Sequence, residues 1–412
     1  MPRLLFLAHR IPYPPDKGDK IRAWHILDHL AQSHEVDLGC LIDDRDDLRH
    51  LPALRTRFAH VEAPFLAGGA RAALRTLRHL RPGAPLSRGW FHDPGLAAWV
   101  RQGLDAGRYD AVFVFSSAMA PYVIGRPRHP AGQRRVLDLV DVDSAKFSAY
   151  AAETRGPMRP VYAREARTLL ALERRAAAAF DHTLLVSKAE AEHFLGLAPE
   201  CADRVGWMEN GVDAARFDPA RDWPDPFPMP GPHLVFTGAM SYRPNVEAVT
   251  WFAHDILPAL CARQAAPHFH IVGARPSAAV LELAKLPQVH VTGTVPDVQP
   301  YLAHADAVVA PLRIARGIQN KVLEAMAMAR PVIATPEAFE GIRAIPGRDL
   351  LLASGAADFA TAVAAVLDGH HAGIGERGRA AVLAAHDWAA QLRYVDTLLD
   401  TAAASAPAAA TA

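Results

Sequence analysis

The sequence predicts an α/β chain carrying two doubly wound, parallel-sheet domains in succession. Three observations lead there. Short, continuous apolar runs alternate with helical patterns almost from end to end. The runs fall into two series, and a proline-rich stretch separates the series. Apolar runs without polar alternation suit strands covered on both faces, and the intervening helices supply that cover.

The first series is RLLFLA (3–8), EVDLGCLI (35–42), AVFVF (111–115), RVLDLV (135–140) and HTLLVS (182–187). The second is HLVFTG (233–238), HFHIVG (268–273), VHVTG (289–293), AVVAPL (307–312), PVIAT (331–335) and LLLA (350–353). Between them, residues 217–233 hold six prolines, which suit neither helix interiors nor central strands. The expected domains are therefore 1–216 and 233–385, joined by a linker at 217–232. HDWAAQLRYVDTLLD reads as a closing amphipathic helix over 386–401, expected to cross back to the first domain. The small-residue tail 402–412 reads as disordered.

Bulk properties narrow the function. A chain of 412 residues exceeds one ordinary core. Lys+Arg and Asp+Glu are both 44, so the formal net charge is zero, which argues against a general nucleic-acid binder. Cys40, Cys201 and Cys261 are far apart and odd in number. They make neither a disulfide framework nor a metal spacing, and suit a reducing cytoplasm. Leu4 to Ala8 is too short for a secretory apolar region, and no run approaches the roughly 20 apolar residues that span a bilayer.

In open α/β sheets, ligands bind beyond the carboxyl ends of the strands, so the loops there carry the candidate chemistry. After the first strand, HRIPYPPDKGDKIRAWHILDHL places Gly18, Asp19 and Arg22 at a helix start, which suits either an anion or a plain glycine turn. After the fourth, VLDLVDVDSAKFSAYAAE clusters Asp138, Asp141 and Asp143. Asp141 and Asp143 form a DxD, which suits a cation, a helix cap or a positioned carboxylate. In the second series, GAMSYRPN brings Gly238, Arg243 and Asn245 to a helix start. RGIQNKVLEAMAMARPVIAT brings Arg316 and Gly317, then Lys321 and Glu324 on one helix face. That helix is Ala/Met-rich on every side and so is expected to be buried, which leaves two charges in want of partners. Asn210-Gly211 is a strong turn signal. Residues 69–83 set Leu74, Leu77 and Leu80 against Arg71, Arg75, Arg78 and Arg81. Such a helix suits an anionic membrane surface, an anionic acceptor or plain solvent.

These motifs together resemble the retaining family 4 glycosyltransferases, of the fold called GT-B: two Rossmann-like domains facing a cleft. The resemblance spans nearly the whole chain. It rests on PPDKGDKIR, NGVD, GAMSYRPN and above all NKVLEAMAMARPVIAT. It implies that Glu324 binds the ribose of a nucleotide-sugar donor and that Lys321 and Arg243 neutralise its diphosphate. Gly18 and Asp19 match the glycine loop near the donor phosphates. A metal-independent transfer with retained anomeric configuration follows, to a glycan or lipid-linked acceptor. The opening run and DLVDVDSAKFSAYA are similar to a narrower group of bacterial sugar transferases of exopolysaccharide and exosortase systems. The chain departs from the family at Arg316, where a first glutamate is usual, and at Asp19, where a second glycine is common. Asp141 or Asp143 stands where a catalytic-region histidine often lies. Arg316 motivates a rival reading as a non-catalytic binding subunit, and a sugar-nucleotide epimerase on the same fold is a third. The expected place is the cytoplasm, with a peripheral contact on the inner face of the membrane.

Overall fold

The computed structural model describes residues 1–15, 18–78, 83–130, 132–262, 266–315 and 317–400. The chain forms two compact units. The first is Met1–Glu209 together with the chain from Leu392 on, and the second is Asn210–Gln391.

The first unit is built on seven strands: β1 (Arg3–Ala8), β2 (Glu35–Cys40), β3 (His60–Glu62), β4 (Ala111–Phe115), β5 (Arg134–Val140), β6 (His182–Leu185) and β7 (Val205–Trp207). All pair in parallel, in the order β3-β2-β1-β4-β5-β6-β7. The strand order reverses between β1 and β4, and such a switch point is where a doubly wound sheet opens a ligand crevice. The central strands are sealed: Leu4 through Ala8 and Val112 through Val114 are inaccessible to solvent. Sequence reasoning finds the five long strands and misses β3 and β7. Those two have three residues each and sit at the sheet edges, too short to carry a periodicity.

The second unit repeats the plan with β8 (His233–Thr237), β9 (His268–Val272), β10 (Val289–Gly293), β11 (Ala307–Ala310), β12 (Val332–Ala334) and β13 (Leu351–Leu352). These also run parallel, in the order β10-β9-β8-β11-β12-β13, with the reversal between β8 and β11. Two Rossmann-like sheets are thus what the apolar runs foretell.

The boundary differs from the expectation. It falls after Glu209, not at 216/217, and the proline-rich stretch is no free linker. Val212, Phe217 and Phe227 are buried in the core of the second unit. Prolines hold this stretch extended while its aromatic anchors pack, so composition suggests a tether where the structure has a strap. The NGVD motif belongs to it. A Cβ on Gly211 would lie 2.7 Å from both the ring and the backbone nitrogen of Trp388, so only glycine fits there. The last helix, Trp388–Leu399, is buried along Val395, Leu398 and Leu399. The tail 402–412 lies outside the described residues.

Candidate functional site

In the second unit, the loops after β8 and β11 flank the point where the strand order reverses. Their backbones approach unusually closely to the neighbouring strand end. Gly238 and Gly273 both hold positive φ, at 153° and 148°, and a Cβ on Gly273 would lie 1.8 Å from the Gly238 carbonyl oxygen. No other residue type fits either position. The helix Asn320–Ala327 starts beside them, after Gly317 turns the chain at φ 66°. Val322, Leu323 and Ala325 to Met328 are all inaccessible, as the apolar composition of the helix requires.

Lys321 projects into this corner. Its Nζ donates to Asn245 Oδ1 at 2.5 Å and stands 4.2 Å from the centre of the Phe236 ring. A Cβ on Gly238 would sit 3.1 Å from that Nζ and 2.7 Å from Asn245 Nδ2. Among the described residues no carboxylate forms an ion pair with Lys321, and its partners are a neutral amide and an aromatic face. Burial lowers its pKa to about 7, against the raising influence of Glu324. Glu324 lies one turn on. Burial raises its pKa to about 7, opposed by the charges of Arg216 and then Lys321. Its carboxylate has no hydrogen-bond partner among the described residues. The helix start has no side-chain cap, so backbone N–H groups remain open there. Asn210 Nδ2 reaches Asn320 Oδ1 at 3.4 Å and ties the NGVD turn to this helix. Arg243 opens the helix Arg243–Trp251 and is exposed, two residues before Asn245. The structure thus gathers Gly238, Asn245, Lys321 and Glu324 around one corner, with Arg243 at its edge. Arg316 lies outside the described residues.

The first unit treats its charged candidates differently. Arg22, expected near a donor phosphate, is fully buried. It donates from Nε to Asp138 and from Nη1 to the Met208 carbonyl, both at 2.7 Å. That corrects the expectation: Arg22 sits on the inward face of its helix, and its guanidinium is spent on the core. Asp19 is also engaged. Arg10 Nη1 donates to it at 2.6 Å, and His9 Nε2 lies 3.6 Å away. Burial opposes its ionisation, but the His9 hydrogen bond and the Arg10 charge prevail and hold the carboxyl far below the usual range. A carboxylate held in this way does not offer itself to a phosphate. Gly18 opens the helix Gly18–Leu30, and among the described residues none comes within 4 Å of where its Cβ would be. Asp141 and Asp143 share Lys146, whose Nζ lies 2.7 and 3.4 Å from their carboxylates, and Ser117 Oγ donates to Asp143 at 3.2 Å. A protein ammonium therefore stands between the two acids of the DxD. Behind them, Glu173 accepts from the backbone and hydroxyl of Ser144, and burial raises its pKa to about 7. Among the described residues, no group of His, Cys, Asp or Glu is arranged to hold a metal.

The helix Ala70–Arg78 turns its leucines outward. Leu74 and Leu77 are 50% and 65% exposed. Arg75, read as part of the polar face, donates inward to the carbonyls of Ala67 and Trp90 at 3.0 and 3.5 Å. A moment fixes which residues share a face, and not which way that face turns. The side chains of Arg71 and Arg78 fall outside the description, and so does Leu80 with Arg81.

Sequence reasoning misses His9, Lys146, Arg216 and Phe236. His9 stacks on Phe115 at 5.9 Å and meets the edge of Phe91 at 5.7 Å, at the carboxyl end of β1. The signal for it was the HR pair directly after the first apolar run. Lys146 lies three and five positions from its partners, so DVDSAK carried a local signal for it, whereas Arg216 and Phe236 act across distant segments that nothing local in the sequence marks.

Comparison with known proteins supplies the class. Residues 231–369, about a third of the chain, match the family model described as "Glycosyl transferases group 1". No curated protein matches the chain. Among solved structures, the sucrose-phosphate synthase tll1590 of Thermosynechococcus elongatus is similar over 97% of this chain and 98% of its own, with a TM-score of 0.68 and 17% identity. Anabaena Alr3699/HepE, solved with UDP and glucose, aligns over 97% and 99% with a TM-score of 0.65 and 14% identity. WaaG, described as a glycosyltransferase involved in lipopolysaccharide biosynthesis, aligns over 97% and 100% with a TM-score of 0.65 and 15% identity. These likenesses show the fold. The chain has the GT-B fold, and some of its structural neighbours are solved in complex with UDP and UDP-glucose. Among the described residues, no helix is long and apolar enough to cross a membrane.

Proposed function

We propose that this protein transfers a sugar from a nucleoside-diphosphate donor to a glycan or lipid-linked acceptor, with retention and without a metal. The observation that carries the reading is the Lys321–Glu324 corner of the second unit. A half-buried amine that has no carboxylate ion pair among the described residues, beside two glycines and open helix N–H groups, fits a diphosphate. As the bond from the anomeric carbon to the diphosphate oxygen breaks, its electron pair leaves with the diphosphate. Lys321, Arg243 and the helix start would stabilise that charge electrostatically. Glu324, one turn away, would accept from the ribose hydroxyls. Gly18 leaves open space in the first unit for a ligand to approach. Asp141 and Asp143, fixed by Lys146, are assigned to the acceptor side. The resemblance to exopolysaccharide-associated transferases makes exopolysaccharide assembly the favoured setting.

The test is a thermal-shift panel of UDP-, GDP- and ADP-sugars. A true donor at a hundredfold its Kd should stabilise by about 3 kcal/mol. Lys321→Ala should lower transfer by roughly 10²–10³-fold, and Glu324→Ala should weaken donor binding. Full transfer activity in both variants would overturn the site. Donor isomerised in the absence of acceptor would indicate an epimerase.

The exposed leucines support a second element of this reading, a peripheral contact with an anionic membrane from the cytoplasmic side. Leu74, Leu77 and the 47%-exposed Trp90 offer apolar surface beside an arginine-rich helix. The double substitution Leu74→Gln/Leu77→Gln should reduce co-sedimentation with phosphatidylglycerol vesicles severalfold. Unchanged co-sedimentation would remove the contact.

A further inference from the structure

Asn245 is 6% exposed, and both ends of its amide are used within the protein. Nδ2 donates to the Ala239 carbonyl at 2.9 Å, which fixes the way the amide faces. Oδ1 therefore points at Lys321 and accepts from its Nζ at 2.5 Å. One N–H and the oxygen of the amide thus both find their partners within the protein. Lys321, by contrast, has three protons to give, and Asn245 takes one. The Phe236 ring underlies the amine at 4.2 Å, and Gly238 leaves the space in which the amide and amine meet.

We propose that Asn245 is a positioning residue: it locks the Lys321 amine onto Phe236 and aims it at the diphosphate without touching the donor. This rests on the reading of the corner as a diphosphate site. The sequence suggests that Asn245 binds the donor directly, and the hydrogen bonds place it one step behind. The amide dipole is also the only hydrogen-bonding partner that favours the charged amine among the described residues. Of the titratable groups nearby, Glu324 on the same helix acts on Lys321, whereas Arg216 acts on Glu324. On the helix that carries Asn245, Glu247 accepts from Arg313 at 2.9 Å, and Arg243 faces solvent. The residue at position 245 therefore decides how readily Lys321 keeps its proton. An apolar isostere removes a partner of the charged form, and a carboxylate supplies a stronger one.

The experiment is calorimetric titration with UDP, GDP and ADP from about pH 6 to about pH 9. It compares the wild-type chain with Asn245→Leu, Asn245→Asp and Lys321→Met. Wild-type affinity should fall as Lys321 loses its proton. The midpoint of that fall should move down by about one pH unit in Asn245→Leu and up by about one unit in Asn245→Asp. In a Lys321→Met background neither change should move it. A role in folding alone predicts no such opposed shifts. Wild-type midpoints in both variants, or shifts that persist without Lys321, overturn the proposal and leave the diphosphate site standing. If thermal unfolding shows that Asn245→Leu does not fold, Asn245→Asp decides alone, and an unmoved midpoint overturns the proposal. If the wild-type chain binds none of the three nucleotides, the diphosphate reading itself fails and this one with it.

Discussion

The carboxyl ends of the two sheets look alike in topology and differ in how their charges are settled. In the first unit, Arg22 pairs with Asp138, Arg10 with Asp19 and Asp43, Lys20 with Asp47, and Lys146 with Asp141 and Asp143. In the second, Lys321 leans on an amide and a ring, and Glu324 has no hydrogen-bond partner among the described residues. A buried charge that already has its partner belongs to the architecture. A buried charge without one is costly, and that cost is recovered when a ligand of opposite sign arrives. The same residue types at equivalent places in the topology thus do different work, and partner accounting separates them.

The sharpest way to break the comparison is to unpair the first unit. Asp138→Ala leaves the fully buried Arg22 without its carboxylate, and should lower unfolding free energy by about 3–5 kcal/mol. Chemical denaturation measures it, and a loss under about 1 kcal/mol would mean that Arg22 is not the structural pair it looks to be. Lys321→Ala should do the opposite. It removes an amine whose charge is desolvated, so stability should hold while transfer falls. A Lys321 variant as unstable as Asp138→Ala would erase the distinction between the two units.

How much of this was legible in the sequence follows from the same physics. Two parallel-sheet domains were readable because both-face burial writes itself as continuous apolar runs. Lys321 and Glu324 stood out because charges on an otherwise apolar helix are locally anomalous. The fate of Arg22 was hidden, because Asp138 lies 116 positions away and no local pattern encodes that pairing. The direction of the helix Ala70–Arg78 was hidden as well, since amphipathicity is symmetric between inward and outward. The role of Asn245 was half visible: its place at a strand-end loop was readable, but its two hydrogen bonds were not.

Acid sharpens the comparison most gently. The second unit carries a ladder of imidazoles across β8, β9 and β10. His233 Nδ1 lies 3.0 Å from His270 Nε2, and His268 Nδ1 lies 3.0 Å from His290 Nε2. Phe227 stacks on His233 at 4.1 Å, and Asp306 receives the backbone N–H of His233. Each such bond needs a neutral acceptor nitrogen, so neither pair can carry two charges and keep its bond. Burial first, and then the neighbouring histidines, depress His270 from 6.5 to about 3. Above pH 6.5 it is neutral folded or unfolded and the cluster costs nothing. Below that, the unfolded chain takes the proton and the folded one does not, so stability drains away from about pH 6.5 down towards pH 3. By pH 5 the loss from His270 alone should be about 2 kcal/mol. In the first unit Asp19, held far below the usual carboxylate range by His9 and Arg10 against the cost of burial, is still ionised there. Denaturation midpoints at pH 7 and pH 5, for the wild-type chain and for His270→Gln, measure the difference. The variant should lose much less stability on acidification, and an equal loss would place the acid-sensitive groups elsewhere.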